Sequence, residues 1–417
     1  MKYGLIGEKL SHSFSAQIHS RLFDYEYELK ELVRDELDAF LTKRDFSAIN
    51  VTIPYKEVVI PHLDVVDDNA LRIGAVNTVV NCDGKLYGYN TDYMGLKALI
   101  ERSAIAVCGK KVLILGSGGT SKTAETVVRD MGAREAYRVS RTDRDGCITY
   151  EQALNIHRDA QIIINTTPCG MYPNGGASAV DIADFSHLEG VVDVVYNPLR
   201  TKLVCDALAK GIPTVGGLYM LVAQAAFAAE RFVNVSVAGE RIEEVYQDLL
   251  CDKENIVLVG MPASGKSTVG KILAKQLGRV FIDTDEEIVR QSGVSIPEIF
   301  QNEGEAAFRD KESEAIRKIA SVQGAVIATG GGAILRPENA AALKENGRLY
   351  FLDRSLDLLA TTADRPLSSN REDLERRYRE RYPIYTAVCD VRIDGNGTAE
   401  EVANLIREDF IHEDTGH

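Results

Sequence analysis

Lys266 and Ser267 sit in the run Gly260-Met-Pro-Ala-Ser-Gly265-Lys266-Ser267-Thr268, which has the spacing G-x-x-x-x-G-K-[ST]. That spacing suits a backbone loop closed around phosphate. Its glycines let successive N–H groups surround phosphate oxygens, and a helix starting there adds partial positive charge. In such a loop Lys266 reaches the β- and γ-phosphates and Ser267 holds Mg²⁺. An ordinary strand-to-helix turn is the plain alternative. The flanks argue against it: Ile256–Val259 reads as a β-branched strand and Val269–Leu277 has apolar residues at helical spacing. Residues Ala263, Ser264, Gly265, Lys266, Ser267 and Thr268 are therefore expected to bind ATP with Mg²⁺.

Further along, Phe281-Ile-Asp283-Thr-Asp285 places two carboxylates on the same side of an expected strand end. One could sit near Mg²⁺ and the other could accept a proton from a substrate hydroxyl. Val326–Ala328 runs into Thr329-Gly330-Gly331-Gly332, where a ligand can approach bare backbone. Most arginines in 371–381 read as a solvated helix face.

The first hundred residues hold polar groups where apolar ones would be expected. They are Ser13 and Ser15 before a helix, Asn50-Val-Thr52-Ile-Pro-Tyr-Lys56, Asn77-Thr78 and Asn90-Thr91-Asp92. Each has a plain reading as a cap or turn residue. Together they supply a lysine, an aspartate and many neutral hydrogen-bonding groups, a set suited to a polyhydroxylated acid. A lysine ammonium can give a proton to a developing alkoxide and stabilise it, and a nearby carboxylate favours its charged form.

A second glycine loop, Gly116-Ser117-Gly118-Gly119-Thr120-Ser121, follows the apolar strand Lys111–Leu115. It departs from G-x-G-x-x-G, with Ser121 in place of the third glycine, so a plain strand–helix turn is an equal reading. The next strand runs into Ser140-Arg141-Thr142, with no carboxylate before Asp143. NAD would want an acid there for its ribose hydroxyl, whereas a guanidinium suits the 2′-phosphate of NADP. Arg144 could assist or be a solvated loop charge.

These groups need elements to hold them. The 417 residues suggest two or three domains, and 45% hydrophobic with 26% charged residues is the balance of a globular chain. No run reaches a membrane span; Leu218–Ala229 is too short and contains Gln224. The N-terminus lacks the parts of a signal peptide, and seven scattered cysteines form no C-x-x-C pair, so a cytoplasmic location is expected. A net charge of -14 argues against nucleic acid or an anionic membrane as partner. Strands are expected at 2–6, 48–53, 76–80, 111–115, 136–139, 160–165 and 191–195. The tail from His412 reads as loose. The oligomeric state is not legible.

The ordered set Ser13-x-Ser15, Asn50-Val-Thr52-Ile-Pro-Tyr-Lys56, Gly74-Ala-Val-Asn77-Thr78, Asn90-Thr91-Asp92, Gly116-Ser-Gly-Gly119, Asn165-Thr-Thr-Pro, Asp193-Val-Val-Tyr196-Asn-Pro and Leu221-Val-Ala-Gln224 resembles shikimate dehydrogenase over about residues 1–250. The resemblance implies that Lys56 and Asp92 form the catalytic pair. It implies that Ser13, Ser15, Thr52, Asn77, Tyr196 and Gln224 surround the substrate with them. NADP would be held by Asp68, Gly116, Ser117, Gly118, Gly119, Thr120, Ser140, Arg141, Thr142, Arg144, Val194 and Gly217.

The set of phosphate loop, Asp283-Thr-Asp285, Phe308-Arg309, Gly330-Gly-Gly332, Arg365-Pro-Leu and Arg381-x-x-x-Tyr385 resembles shikimate kinase over about 254–410. It implies shikimate binding by Asp285, Arg309, Gly331, Gly332 and Arg381, with Lys266 and Asp285 in the chemistry and Ser267 and Asp283 at the metal. Arg365 would lie in a lid over ATP. That lid departs from the family in lacking an upstream arginine and in reading Arg365-Pro-Leu-Ser368.

The expected fold class is α/β: an α/β substrate domain (1–100, completed by helices in about 218–250), a Rossmann-like NADP domain (101–217), a linker (251–255) and a P-loop NTPase kinase domain (256–417). The implied activity is bifunctional. 3-Dehydroshikimate is reduced with NADPH, then shikimate is phosphorylated by ATP, two steps toward chorismate and the aromatic amino acids. Two alternatives stand beside it. One is a quinate/shikimate dehydrogenase joined to a different small-molecule kinase. The other is a non-catalytic sensor, which would be expected to have lost one of Lys56, Asp92, Lys266 or Asp285.

Overall fold

The computed structural model describes residues 1–10, 13–144, 146–359 and 371–412. The chain divides into two compact units, Met1–Asn197 with Thr201–Leu249 and Pro198–Arg200 with Leu250–His417.

The first unit contains two six-stranded sheets. The N-terminal sheet uses β1 (Tyr3–Gly7), β2 (Tyr27–Glu31), β3 (Ala48–Val51), β4 (Val65–Val66), β5 (Thr78–Cys82) and β6 (Lys85–Tyr89), in the order β2-β1-β3-β5-β6-β4. It is mixed: β1 runs parallel to β2 and β3, while β5 is antiparallel to β3 and β6. The second sheet uses β7 (Lys111–Leu115), β8 (Glu135–Ser140), β9 (Cys147–Thr149), β10 (Ile162–Asn165), β11 (Gly190–Asp193) and β12 (Thr214–Val215). Its order is β12-β11-β10-β7-β8-β9, all parallel. Burial on both faces explains why β7 and β10 read as unbroken apolar runs. Strand order reverses between β7 and β10, and ligands of open parallel sheets bind at such a switch, outside the strands' carboxyl ends.

The second unit has one parallel sheet of β13 (Asn255–Val259), β14 (Phe281–Asp283), β15 (Val326–Ala328), β16 (Gly347–Asp353) and β17 (Val391–Asp394), ordered β14-β15-β13-β16-β17. Central, fully buried β13 feeds the phosphate loop.

Several expectations need correction. The polar break at 251–255 is not a separate linker. Helix Gly239–Lys253 runs through it and β13 starts at Asn255. Asp252 and Lys253 end an amphipathic helix whose inner side is Ile242, Val245 and Leu249, while Glu254 and Asn255 are buried. Strand β3 stops at Val51, since the Tyr55 N–H turns back to the Thr52 carbonyl ahead of Lys56. Strand β5 starts at Thr78 rather than Val76. Asp285 is not on a strand end: β14 ends at Asp283, which caps the helix Thr284–Ser292 and accepts from the Asp285 N–H at 2.9 Å. Strand β2 was not expected, because Glu28–Glu31 is exposed on an edge and lacks apolar alternation. Arg365, the lid segment 360–370 with Ser368, and the tail 413–417 lie outside the described residues.

Candidate active sites

In the first unit, three chain segments bring Lys56 and Asp92 together. The Val76 N–H donates to the Lys56 carbonyl, which fastens the segment after β3 beside the segment before β5. Asn90 caps the helix Thr91–Arg102, its side chain accepting from the Tyr93 N–H, so Asp92 stands in the first turn. Lys56 Nζ then donates to Asp92 Oδ2 at 2.6 Å. The pair is largely shielded, with side-chain exposures of 22% and 12%.

Asn77 completes the corner. Its Nδ2 donates to Asp92 Oδ1 at 3.0 Å, and its Oδ1 accepts from the Thr91 N–H at 2.7 Å. The carboxylate is thus held from both sides. Asn77 is buried because it pins the helix start to β5.

The other expected substrate residues gather around this corner in part. Ser13 Oγ donates to Ser15 Oγ at 3.1 Å, and Phe14 between them lies 5.6 Å, ring to ring, from Tyr196. Tyr196 follows β11, and burial pushes its hydroxyl pKa up. Gln224 packs against helix Thr91–Arg102 at Gly95, where an added Cβ would come within 2.8 Å of Gln224 Cβ. Gly95 lies one turn beyond Asp92. Thr52 packs on Gly7 at the end of β1. A separate cavity of about 390 Å³ lies along Asn90, Met94, Lys97, Ala98 and Glu101, on the face of that helix away from Asp92. Its position does not coincide with the polar corner.

The glycine loop sits at the switch between β7 and β10. Gly116 has φ +127°, and its N–H donates to the Val139 carbonyl of β8. Gly118 precedes the helix Gly119–Asp130, and a Cβ at Gly118 or Gly119 would meet no protein atom within 4 Å. Packing inside the chain does not demand glycine there, and open space at a helix N-terminus fits a pyrophosphate. Ser121, standing where the third glycine would be, is fully buried and donates to the Gly118 carbonyl at 2.7 Å.

At the end of β8, Ser140 is buried while Arg141, Thr142 and Arg144 are exposed. Arg141 makes no ion pair among the described residues, so its guanidinium suits an incoming phosphate. Gly217 lies against the Val194 carbonyl with no room for a Cβ. Asp68 is exposed and, among the described residues, makes no side-chain hydrogen bond or ion pair. It opens the helix Asp68–Ile73, which packs against the helix that follows the glycine loop and is tied to it by Arg72 Nη2 donating to Asp130 Oδ1 at 2.7 Å.

Asp193 was quoted in a motif but given no role. It is completely buried and accepts from Thr201 Oγ1 at 2.6 Å, Val195 N at 3.0 Å and Asn165 Nδ2 at 3.0 Å. Burial nevertheless pushes its carboxyl up to about 6, against the opposing effect of those hydrogen bonds. It joins the loops after β10 and β11. The sequence signal was a charged residue closing an otherwise apolar strand.

In the second unit, Ala263 has φ +64° and Gly265 φ +91°, which turns the loop's backbone inward before helix Lys266–Leu277. Lys266 Nζ donates to the carbonyls of Gly260 at 2.8 Å and Met261 at 2.7 Å, so it lies over its own loop. Ser267 Oγ donates to Asp283 Oδ2 at 2.6 Å. Two adjacent hard oxygen donors fit Mg²⁺, which keeps several waters and is shared with phosphates.

The three glycines after β15 each meet a different part of the site. A Cβ at Gly330 would fall 2.7 Å from Asp285 Oδ1. One at Gly331 would fall 2.8 Å from Pro262 of the phosphate loop, and one at Gly332 would fall 2.7 Å from Arg309 Nη2. Arg381 Nη1 donates to the Gly331 carbonyl at 3.0 Å, and the Tyr385 hydroxyl donates to the same oxygen. Glu312, missed from sequence, is buried and accepts from Arg309 Nη1 at 2.8 Å. Burial raises its pKa; the Arg309 charge and hydrogen bond oppose that. Arg309 and Glu312 are three apart on one helix, a spacing that could have flagged the pair.

Shikimate dehydrogenase (NADP(+)) of Clostridium perfringens is 38% identical over 273 residues, covering 60% of this chain and 98% of that protein. The chain belongs to the shikimate dehydrogenase family. The family model "Shikimate dehydrogenase substrate binding domain" matches residues 5–79, and the model "Shikimate kinase" matches residues 262–410. The first unit therefore carries the dehydrogenase and the second a kinase domain.

Among solved structures, shikimate dehydrogenase 1 of Peptoclostridium difficile is similar with TM-score 0.55 and 37% identity, covering 60% of this chain and 98% of that one. Shikimate 5-dehydrogenase of Thermus thermophilus in complex with NADP(H) and shikimate has TM-score 0.54 and 29% identity, covering 60% of this chain and 99% of that one. Among the described residues no helix is long and apolar enough to cross a membrane.

Proposed function

We propose that this chain catalyses two consecutive reactions: NADPH-dependent reduction of 3-dehydroshikimate to shikimate, then ATP-dependent phosphorylation of shikimate to shikimate 3-phosphate. The observation that carries the first is the shielded Lys56–Asp92 pair at 2.6 Å, held by Asn77. NADPH, when bound, supplies the hydride. Lys56 gives its proton to the ketone oxygen and stabilises the developing alkoxide. Asp92 orients the ammonium and a substrate hydroxyl. Ser13, Ser15, Thr52, Asn77, Tyr196 and Gln224 are the groups that bind the acid. Gly116–Thr120, with Ser140, Thr142, Val194 and Gly217, cradle the nucleotide, and Arg141 with Arg144 receives its 2′-phosphate.

For the second reaction, ATP with Mg²⁺ supplies the phosphoryl group. Residues Ala263–Thr268 cradle the phosphates and Lys266 neutralises charge on them. Ser267 and Asp283 hold the metal. Asp285 accepts the proton of the attacking hydroxyl, and Arg309 and Arg381 pair with the substrate carboxylate, the partner a guanidinium fork favours. The reading places the protein in the cytoplasm, with small molecules rather than nucleic acid or membrane as its partners.

The test is a two-step assay on the full chain. 3-Dehydroshikimate with NADPH should consume NADPH, and added Mg-ATP should then yield shikimate 3-phosphate. Absence of both products from folded protein would overturn the reading.

A further inference from the structure

We infer that Tyr27 is a positioning residue of the reductase site, holding the Asn77–Asp92 corner through Asn50 and Thr78. The inference rests on the reading of the first unit as a reductase. Tyr27 opens β2, the edge strand that pairs with β1 in the register Tyr3↔Tyr27. Its hydroxyl donates to Asn50 Oδ1 at 2.7 Å.

From Asn50 the chain of bonds continues inward. Asn50 Nδ2 donates to Thr78 Oγ1 at 3.2 Å, and Thr78 Oγ1 donates to Asn77 Oδ1 at 3.1 Å. Asn77 in turn holds Asp92, which holds Lys56. Tyr27 therefore stands at the outer end of a chain of hydrogen bonds that reaches the Lys56–Asp92 pair, although it does not bind substrate itself.

The surroundings fix Tyr27 in place. Its ring stacks on His19 with centroids 4.0 Å apart and planes 12° from parallel. His19 Nδ1 lies 2.6 Å from the Tyr25 hydroxyl, and burial lowers the His19 pKa to about 3, so the imidazole stays neutral. Asn50 Oδ1 cannot donate, so the Tyr27 proton must point at it. Without the hydroxyl Asn50 loses a donor in a buried setting.

The experiment compares wild type and Tyr27→Phe in the full chain, since Phe keeps the stack on His19. KM for 3-dehydroshikimate should rise about five- to tenfold, the scale of one buried hydrogen bond. The reductase kcat should stay within about twofold, as should KM for NADPH and phosphorylation by the second unit. KM does not depend on how much enzyme is folded, so partial unfolding cannot imitate this pattern. Asn50→Ser, which interrupts the frame from the other side, must raise the same KM. In the Asn50→Ser background, adding Tyr27→Phe should change KM by less than about twofold, because the two act as a unit.

An unchanged KM in Tyr27→Phe, or additive effects with Asn50→Ser, would overturn the inference while leaving the reductase reading intact. Failure of the wild type to reduce 3-dehydroshikimate would overturn both.

Discussion

Arg309 packs against the Cα of Gly332, so that a Cβ there would sit 2.7 Å from its Nη2. The Nη1 of the same guanidinium donates to buried Glu312 at 2.8 Å. A side chain at 332 would push the guanidinium off the glycine strip and disturb that bond. Gly332→Ala should therefore raise KM for shikimate in phosphorylation by about tenfold or more, the scale of a lost charge-assisted contact. NADPH oxidation should stay as in wild type. Steady-state kinetics of both reactions on one preparation checks this.

Lys56→Ala removes the proposed proton donor and leaves Asp92 with Asn77 alone. Reduction of 3-dehydroshikimate should fall by about 10²- to 10⁴-fold in kcat. Phosphorylation of added shikimate should be unchanged. Reduction surviving at wild-type rate would remove Lys56 from the mechanism.

Arg141 is exposed and pairs with no carboxylate among the described residues, so its loss should cost little stability. Arg141→Ser should reduce the preference for NADPH over NADH by about 10- to 100-fold, mainly through KM for NADPH. Parallel assays with the two cofactors decide it.

Asp193 gives a pH prediction. Its folded pKa of about 6 lies above the ordinary carboxylate value near 3.9, so the folded chain binds the proton more tightly than the unfolded chain. The stability it contributes is fully present below about pH 4 and is lost as pH rises through about 6. The full difference is roughly 3 kcal/mol. Asp193→Asn should abolish that dependence. Denaturant unfolding of both proteins from pH 4 to 7 should show their stability difference changing in this window and flat above it.

Much of both sites could be read from the chain because the residues concerned are local. The phosphate loop from 260 to 268 and the glycine loop from 116 to 119 are each one contiguous turn, and their backbone shape follows from glycines placed between strand and helix. Buried parallel strands such as β7, β10 and β13 announce themselves as apolar runs. Edge strand β2 did not, since solvent on its open side permits Glu28–Glu31. Glu312 and Tyr27 were passed over because a charged helix residue and an edge-strand tyrosine look ordinary without their neighbours.

The sequence alone determined the order of the elements, the two phosphate-binding turns and the stock of polar groups available for chemistry. These depend on neighbours within a few residues. Only the tertiary structure decided which polar groups meet. Asp92 could as well have been a helix cap, and Asn77 a turn residue. Asp283 and Asp285, two residues apart, were equivalent on paper; in the fold one carboxylate faces Ser267 and the other Gly330. The reason is that such pairings are set by strand register and helix placement across tens of residues. A buried hydrogen bond gains its strength only when all those distant segments are packed at once.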